Sequence, residues 1–276
     1  MRSKQLSALP GFGLTLGYTL FYLGVIVLLP LAALVAQAAG LGLGGIWAVA
    51  TEERVLAALR TSFGLAFAAA LVDSLFGLVI AWVLTRYQFP GRRLLDAAVD
   101  LPFALPTAVA GISLATLYAP TGWIGGILAE FGIQVAFTPA GIFVALVFVA
   151  LPFTVRTVQP LIAEIDRGVE EVSATLGANR WQTIRRVLIP MLTPALLTGF
   201  ALAFARSVSE YGSVIFIAGN LPYVSEIAPV LIVIKLEEFN YPGATAIAVI
   251  MLAIAFVVLF TINVIQAWSR RRLGHA

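Results

Sequence analysis

Charged residues are scarce in this chain of 276 residues: Asp, Glu, Lys and Arg together make up only 11% of it. Soluble domains carry about 25%. Hydrophobic residues account for 61%, and the mean hydropathy is +0.99. Because such a chain cannot cover its surface with water-compatible side chains, a soluble globular protein is excluded. The composition predicts a polytopic, all-α membrane protein.

Cysteine is absent, and the single histidine is His275, near the end of the sequence. The lack of cysteine excludes disulfides, thiolate metal ligands and cysteine nucleophiles. A lone histidine in a tail is typical of a solvated residue. No basic stripe with interleaved aromatic residues is present either. We therefore expect no metal site and no nucleic-acid partner.

Six apolar segments are long enough to cross a bilayer, which takes about 20 helical residues. They lie at about 12–39, 61–85, 98–119, 138–158, 192–218 and 244–267. The first is expected to be a retained anchor. Prolines are expected to interrupt the spans at Pro30, Pro102, Pro106 and Pro152. A ten-residue apolar segment at 227–236 is too short to span and predicts an outer surface or re-entrant helix. All of this fits one integral domain with a core at about 55–267.

Positive residues are concentrated on one predicted side of the membrane. The other side has only Arg54, Arg60 and Lys235. By the positive-inside rule the first side is cytoplasmic, which places both termini and the loop at about 159–191 in the cytoplasm. The residues on that side are Arg2, Lys4, Arg86, Arg92, Arg93, Arg156, Arg167, Arg180, Arg185, Arg186, Arg270, Arg271 and Arg272.

The 159–191 loop has the pattern of amphipathic helices, because apolar residues recur in it at mostly three- to five-residue spacing. Gly177 interrupts the pattern and predicts a turn between two short helices. Acidic residues would repel anionic lipid, which argues against a membrane-surface helix. The loop is therefore predicted to dock a protein partner. Its apolar residues are Leu161, Ile165, Val169, Val172, Leu176, Trp181, Ile184 and Leu188, and its acidic ones Glu164, Asp166, Glu170 and Glu171.

Glu171, Gly177 and the closing segment 187–190 resemble the "EAA" loop of ATP-binding-cassette (ABC) importer permeases. The departure is that Val172 and Ser173 replace its two alanines. The resemblance implies the type I, MetI-like permease fold and insertion of this loop into a cleft of a cytoplasmic ATPase subunit. The ATPase-coupling residues that it implies are Glu171, Gly177, Ala178, Trp181 and Pro190. Among these, Glu171 would meet a basic residue of the ATPase, and Trp181 would occupy an aromatic slot.

Further segments resemble the sulfate/thiosulfate (CysT-type) family of these permeases, over nearly the whole chain. The resemblance implies transport of sulfate, and of thiosulfate, from a periplasmic binding protein into the cytoplasm. Molybdate or tungstate transport is the alternative, since two of the segments are shared with molybdate permeases. The segment at 236–242, the length and the extra first helix favour sulfate. The segments are 86–92, 100–111, 206–212, 219–220 and 236–242.

The chain contains no Gly-x-x-x-x-Gly-Lys-[Ser/Thr] phosphate loop, so ATP and Mg²⁺ are expected on a partner and no cofactor on this chain. The resemblance implies two ATP-binding subunits, one periplasmic binding protein and a second homologous permease, in the lipid of a bacterial inner membrane. Two other classes are disfavoured. An ion-coupled secondary transporter often shows inverted repeats. An integral membrane enzyme would need a His, Cys or paired-carboxylate site.

Ionisable residues inside the spans point to a pathway, because they are costly in hydrocarbon. Arg206 and Glu210 are four residues apart and are expected to pair on one helix face. Either this pair fixes the helix, or Arg206 lines an anion path or gate with hydroxyl donors from Ser207 and Ser209. Asp73 is expected to make an inter-helix hydrogen bond or to bind an ion.

The third predicted span contains Pro102 and Pro106, followed by Gly111. These residues are expected to break or kink the helix beside the pathway, although packing alone also explains them.

Overall fold

A computed structural model describes residues 11–166 and 168–272 of the protein, with side chains up to residue 267. The regular structure of these residues is helical, and six helices are long and apolar enough to cross a membrane. In chain order the helices are α1 (Phe12–Ala39), α2 (Gly42–Thr51), α3 (Glu53–Arg86), α4 (Arg92–Val99), α5 (Leu101–Ala104), α6 (Thr107–Tyr118), α7 (Trp123–Glu130), α8 (Pro139–Glu164), α9 (Gly168–Thr175), α10 (Arg180–Val208), α11 (Val214–Ile217), α12 (Ala228–Glu237) and α13 (Tyr241–Arg272).

The centre of the fold is the contact between α3, α8 and α10. Thr154 of α8 lies between Gly77 of α3 and Gly199 of α10. A Cβ atom at Gly77 would lie 2.8 Å from Thr154 Cγ2, and one at Gly199 would lie 3.1 Å from Thr154 Cα. Because lipid tails are as apolar as the helix surfaces, the hydrophobic effect does not drive helices together in a membrane. Close packing of the backbones at small residues stabilises their contact instead. The three helices therefore form one tightly packed unit.

The remaining helices surround this unit. The last helix, α13, packs on α10 and α12, and α1 and α2 pack on α13. The predicted short apolar helix is present as α12, and its residues Ala228 and Leu231 are buried with Val55 of α3 and Ile247 of α13. Because α12 is packed between two long helices, its apolar residues contribute to the protein interior.

The third span differs from the prediction of 98–119. Pro102 and Pro106 break this region, so that the spanning helix begins only at Thr107, after the short helices α4 and α5. Leu105 is extended, with φ −83° and ψ 133°. The residue before a proline is driven out of the helical region by the proline ring, which accounts for the break.

The fifth span was predicted at 192–218, but its helix runs from Arg180 to Val208 and ends there. A tight turn follows and packs against the start of α6. A Cβ at Gly111 of α6 would lie 2.3 Å from the backbone oxygen of Ser213, and one at Gly212 would lie 2.2 Å from Thr107 Oγ1. The start of α6 and the turn after α10 are thus in contact, and Gly111 allows their backbones to approach closely.

Other span boundaries shift as well. The second and fourth spans extend to Glu53–Arg86 and Pro139–Glu164. The predicted interruptions at Pro30 and Pro152 are wrong, because the helices continue through both residues. Before Pro30 the helix widens into a π turn over Gly24–Leu28, in which the Leu29 amide bonds to the Gly24 carbonyl. The wider turn accommodates the missing proline N–H.

An ion-pair cluster ties the short helix α4 to α8. Arg156 contacts Asp96 and Asp100, each at 2.6 Å, and also bonds to Gln159. The bond from the Arg156 guanidinium holds the pKa of the Asp96 carboxyl below its usual value. A depressed carboxylate pKa stabilises the fold above the unfolded value near 4, and that contribution is lost as the pH falls below it.

A second ion pair joins the start of α3 to the segment before α12. Arg54 Nε and Nη2 lie 2.8 and 2.7 Å from the two carboxylate oxygens of Glu226, whose side chain is only 1% exposed. Such a bidentate pair satisfies a carboxylate that would otherwise be buried without a partner.

We predict that Arg54→Met lowers the stability of the protein by about 3 kcal/mol, because it leaves the buried Glu226 charge unpaired. The double variant Arg54→Met/Glu226→Gln should recover part of the loss. Thermal unfolding in detergent measures both effects. Arg60→Met is the control, since Arg60 is exposed. A double variant less stable than Arg54→Met would contradict the prediction.

Candidate functional site

The polar connection between α8 and α10 is shorter than the 159–191 loop that was predicted. Because α8 continues to Glu164 and α10 begins at Arg180, the connection comprises residues 165–179, with α9 inside it. We call residues 165–184 the coupling loop, after the role that the resemblance implies, and include in it the first turn of α10. The second helix of the predicted pair is thus the beginning of a long span.

Gly177 ends α9 in a left-handed conformation, with φ +82°. The Gly177 amide donates to the Ala174 carbonyl, and the Ala178 amide donates to the Ser173 carbonyl, both at 3.0 Å. These two bonds are the Schellman motif, which satisfies the last carbonyls of a helix and favours glycine at this position. The predicted turn is present, and Ala178 is part of it.

Asn179 starts α10 with a reciprocal capping box. Its side-chain oxygen accepts from the Gln182 amide at 2.8 Å, and its own amide donates to the Gln182 side chain at 2.9 Å. Two otherwise free helix donors are satisfied in this way. The turn between α9 and α10 therefore has a defined shape without any partner protein.

The coupling loop presents an exposed apolar face. Leu176 is 82% exposed and Trp181 65%, and Val172 and Ile184 are exposed beside them. Glu171 is exposed as well. Ser173, by contrast, is buried, and its hydroxyl donates to the Val169 carbonyl. Of the two residues that replace the alanines, the small Ser173 thus lies inside and the larger Val172 lies outside.

Pro190 lies within α10, although it was expected to mark the entry to the fifth span. A π turn over Ile184–Leu188 precedes it, in which the Ile189 amide bonds to the Ile184 carbonyl. The arrangement matches the one before Pro30. Pro190 therefore places a widened turn between the coupling loop and the rest of the helix.

A groove of about 750 Å³ lies beneath the coupling loop, between the end of α3 and the beginning of α10. One part of its wall is apolar and includes Leu78 and Leu192, and the other is polar and includes Glu170 and Arg180. Arg86, the last residue of α3, reaches the loop at Ile165 and Glu170. Sequence reasoning missed Arg86 as a contact of the loop, because the two are far apart in the chain.

A second constellation lies at the other end of α10, around Arg206. Its guanidinium is 2.6 Å from Glu210 Oε2, as predicted. The helix has already ended at Val208, so the pair bridges a helix terminus instead of lying along one helix face. The other Glu210 oxygen accepts from the amide and hydroxyl of Ser213, both at 2.8 Å. Glu210 thus holds the turn that follows α10.

The two serines that were expected to face an anion differ in their surroundings. Ser209 is exposed, and its hydroxyl donates to the Arg206 carbonyl at 3.0 Å. Ser207 is buried, and its hydroxyl has no hydrogen-bond partner among the described residues. The Ser209 hydroxyl thus bonds to a carbonyl at the end of α10, whereas the Ser207 hydroxyl makes no hydrogen bond with the described residues.

Pro102 and Pro106 come just before α6, the helix that packs against the turn after α10. Thr107 and Gly111 of α6 contact the turn at Gly212 and Ser213, which Glu210 holds. The helix break after the prolines and the Arg206 pair therefore belong to one local structure.

Asp73 lies in the middle of α3 and is fully buried. The expected inter-helix hydrogen bond is not formed, since neither carboxylate oxygen has a partner among the residues described. Thr154 in the same helix core likewise has an unpartnered hydroxyl in this part of the structure.

The two constellations are far apart. Trp181 and Arg206 lie near opposite ends of α10, about 38 Å apart at a rise of 1.5 Å per residue. The coupling loop and the Arg206 constellation are therefore separate places in the fold, connected by one helix and the core around it.

Comparison with known proteins shows the family to which the chain belongs. The model of the family "Binding-protein-dependent transport system inner membrane component" matches residues 73–275. The chain belongs to this family. The family is one of inner membrane proteins, and the six apolar helices make the chain a multi-pass member of it.

Relatives of known name cover nearly the whole chain. "Sulfate transport system permease protein CysT" of Escherichia coli (strain K12) is 50% identical over 268 residues, or 97% of both chains. The protein of the same name from Synechocystis sp. is 50% identical over 253 residues, 92% of this chain and 88% of the relative.

Two solved transporters share the fold. A chain of a bacterial alginate ABC transporter superposes with a TM-score of 0.75 at 18% identity, covering 94% of this chain and 93% of its own. A chain of the MetNI methionine ABC transporter gives a TM-score of 0.57 at 18% identity, covering 79% and 99%. The predicted all-α, type I ABC importer permease fold is confirmed.

We predict that Gly177→Val disrupts the turn between α9 and α10, whereas Gly177→Asn keeps it. A Cβ at Gly177 would meet no atom within 4 Å, so the cost is conformational, about 1–2 kcal/mol for a residue that avoids the left-handed region. Asparagine tolerates that region. Hydrogen exchange of residues 173–179 in detergent should be faster in the valine variant only. Exchange in the valine variant as slow as in the wild type would show that glycine is not required there.

Proposed function

We propose that this chain is a transmembrane permease subunit of an ATP-driven importer that carries sulfate, and thiosulfate, into the cytoplasm. The observation that carries the proposal is the coupling loop: a preformed turn that presents Trp181, Leu176 and Glu171 outward from a membrane core. Exposed apolar residues on a rigid, polar segment are typical of an interface for another protein. The substrate rests on the names of the relatives that are 50% identical.

The partner that fits this surface is an ATPase subunit. The chain has no phosphate loop of its own, so in an ATP-driven importer another chain has to hydrolyse the ATP. Two ATPase subunits, a periplasmic sulfate-binding protein and a second, homologous permease complete the assembly that we propose. In this proposal the chain is a transport subunit, and ATP hydrolysis takes place on the partner subunits.

The coupling loop lies on the cytoplasmic side in this proposal, together with both termini. The support is the excess of arginine near the loop and at the loop ends of α3 and α4, including Arg86, Arg92, Arg180 and Arg185. Positive residues are retained on the cytoplasmic side of inner membranes. The Arg206 constellation then lies toward the periplasm.

Uptake of labelled sulfate into proteoliposomes tests the proposal. Proteoliposomes that contain the complex with its co-expressed partner subunits should accumulate sulfate only under two conditions. ATP must be in the lumen, which corresponds to the cytoplasm, and the binding protein must be outside. Thiosulfate should compete at equal concentration, and molybdate and tungstate should not. Strong competition by molybdate would overturn the choice of substrate. Uptake that persists without ATP and collapses with the ion gradient would overturn the ABC mechanism.

We further propose that Arg206 lines the anion pathway, as part of a gate that includes the helix breaks at Pro102 and Pro106. The support is geometric: Glu210 occupies one end of the guanidinium, and the Arg206 side chain remains 28% exposed. A partly exposed arginine in a membrane span is positioned to meet an anion in a water-filled path.

We predict that Arg206→Gln reduces sulfate uptake at least about tenfold, which corresponds to about 1.4 kcal/mol of lost anion stabilisation. The double variant Arg206→Gln/Glu210→Gln separates the two roles that the sequence leaves open, because it removes the buried charge that the single variant leaves unpaired. Uptake should stay low in both if Arg206 meets the anion. Recovery of uptake in the double variant would show that the pair only fixes the helix end.

A further inference from the structure

The coupling loop is covalently joined to only two of the three central helices. Its first residue, Ile165, follows α8, and its last turn is the start of α10. The third central helix, α3, has extensive contacts with both. A motion of the loop reaches α3 directly only where its side chains contact the loop.

Arg86 makes such a contact. It is the last residue of α3, and its side chain is only 12% exposed. Its Nη2 donates to the Ile165 carbonyl at 2.9 Å. Because the last carbonyls of a helix have no partner within the helix, this bond satisfies one at the end of α8 and brings a positive charge to the negative end of that helix.

The same guanidinium reaches the other side of the turn. Its Nη2 lies 3.6 Å from Glu170 Oε1 in the first turn of α9. The turn itself is closed by Asp166, whose Oδ1 accepts from the Gly168 amide at 2.9 Å. Arg86 therefore contacts both the end of α8 and the start of α9, across a turn that has its own internal hydrogen bond.

The Trp82 ring contacts the Arg86 guanidinium and restricts its position. The Arg86 guanidinium lies 5.3 Å from the centre of the Trp82 ring, one helical turn earlier in α3. A cation above an indole face is attracted by the ring. The arginine is thus oriented by α3 and directed at the loop.

We propose that Arg86 is a positioning residue that ties the coupling loop to α3, so that the loop and the three central helices move together when the ATPase displaces the loop. This inference rests on the proposed role of the loop. The bond to the Ile165 carbonyl is the main contact, because the Glu170 carboxylate is farther away and 40% exposed.

The first experiment compares sulfate taken up per ATP hydrolysed in the reconstituted complex. Arg86→Gln should lower this ratio at least about fivefold, the lower end of typical coupling effects. Arg93→Gln is the matched control, since Arg93 is an exposed arginine on the neighbouring α4.

A purely structural role for Arg86 predicts a different result. Uptake and ATP hydrolysis would then fall together with the amount of assembled complex, and the ratio would stay at the wild-type value. That outcome overturns the proposal. Wild-type protein without ATP-driven uptake would instead overturn the proposed function, so the two failures are distinguishable.

A second measurement does not require the Arg86 variant to fold. The chain contains no cysteine, so spin labels can be placed at Val83→Cys on α3 and Thr175→Cys on α9, both exposed positions. The distance between the labels should be the same in the ATP-free and ATP-bound complex if the loop is tied to α3. A change of about 5 Å or more, one helical pitch, would show that loop and helix move independently.

Discussion

The hydrocarbon core of a membrane contains no water to satisfy polar groups, and most features of this structure follow from that constraint. At the end of α10, another part of the chain supplies the partners that water would supply elsewhere. The turn after Val208 packs on α6, and Glu210 pairs with Arg206 and accepts two bonds from Ser213. Asp73 differs, because its buried carboxylate has no partner among the described residues.

The same constraint favours a closely packed core. Gly77 and Gly199 let α3 and α10 approach Thr154 of α8 closely, so the three helices are packed as one unit. The coupling loop joins two of these helices through the backbone and the third through Arg86. In the proposed function, binding energy from another chain enters at this loop and acts on Arg206 at the far end of α10.

Parts of this arrangement were predictable from local sequence. Gly177 marks a turn because glycine adopts the left-handed conformation without steric cost, and Arg206 and Glu210 pair because they are close in the chain. The span boundaries at Thr107 and Val208 were not found, because an apolar segment has the same hydropathy whether it is one helix or two. Pro30 and Pro190 were expected at helix interruptions or entries, and π turns absorb them instead.

The sequence by itself determined that this protein is helical, crosses a membrane six times and presents a polar loop with a glycine turn, because composition and residue spacing govern hydropathy and local backbone geometry. Only the tertiary structure decided which charged side chains and polar groups from distant parts of the chain are in contact. Arg86 and Ile165 are 79 residues apart, and Arg54 and Glu226 are 172 apart. No local sequence pattern predicts such pairs, because they depend on how the small-residue faces of the helices pack in lipid.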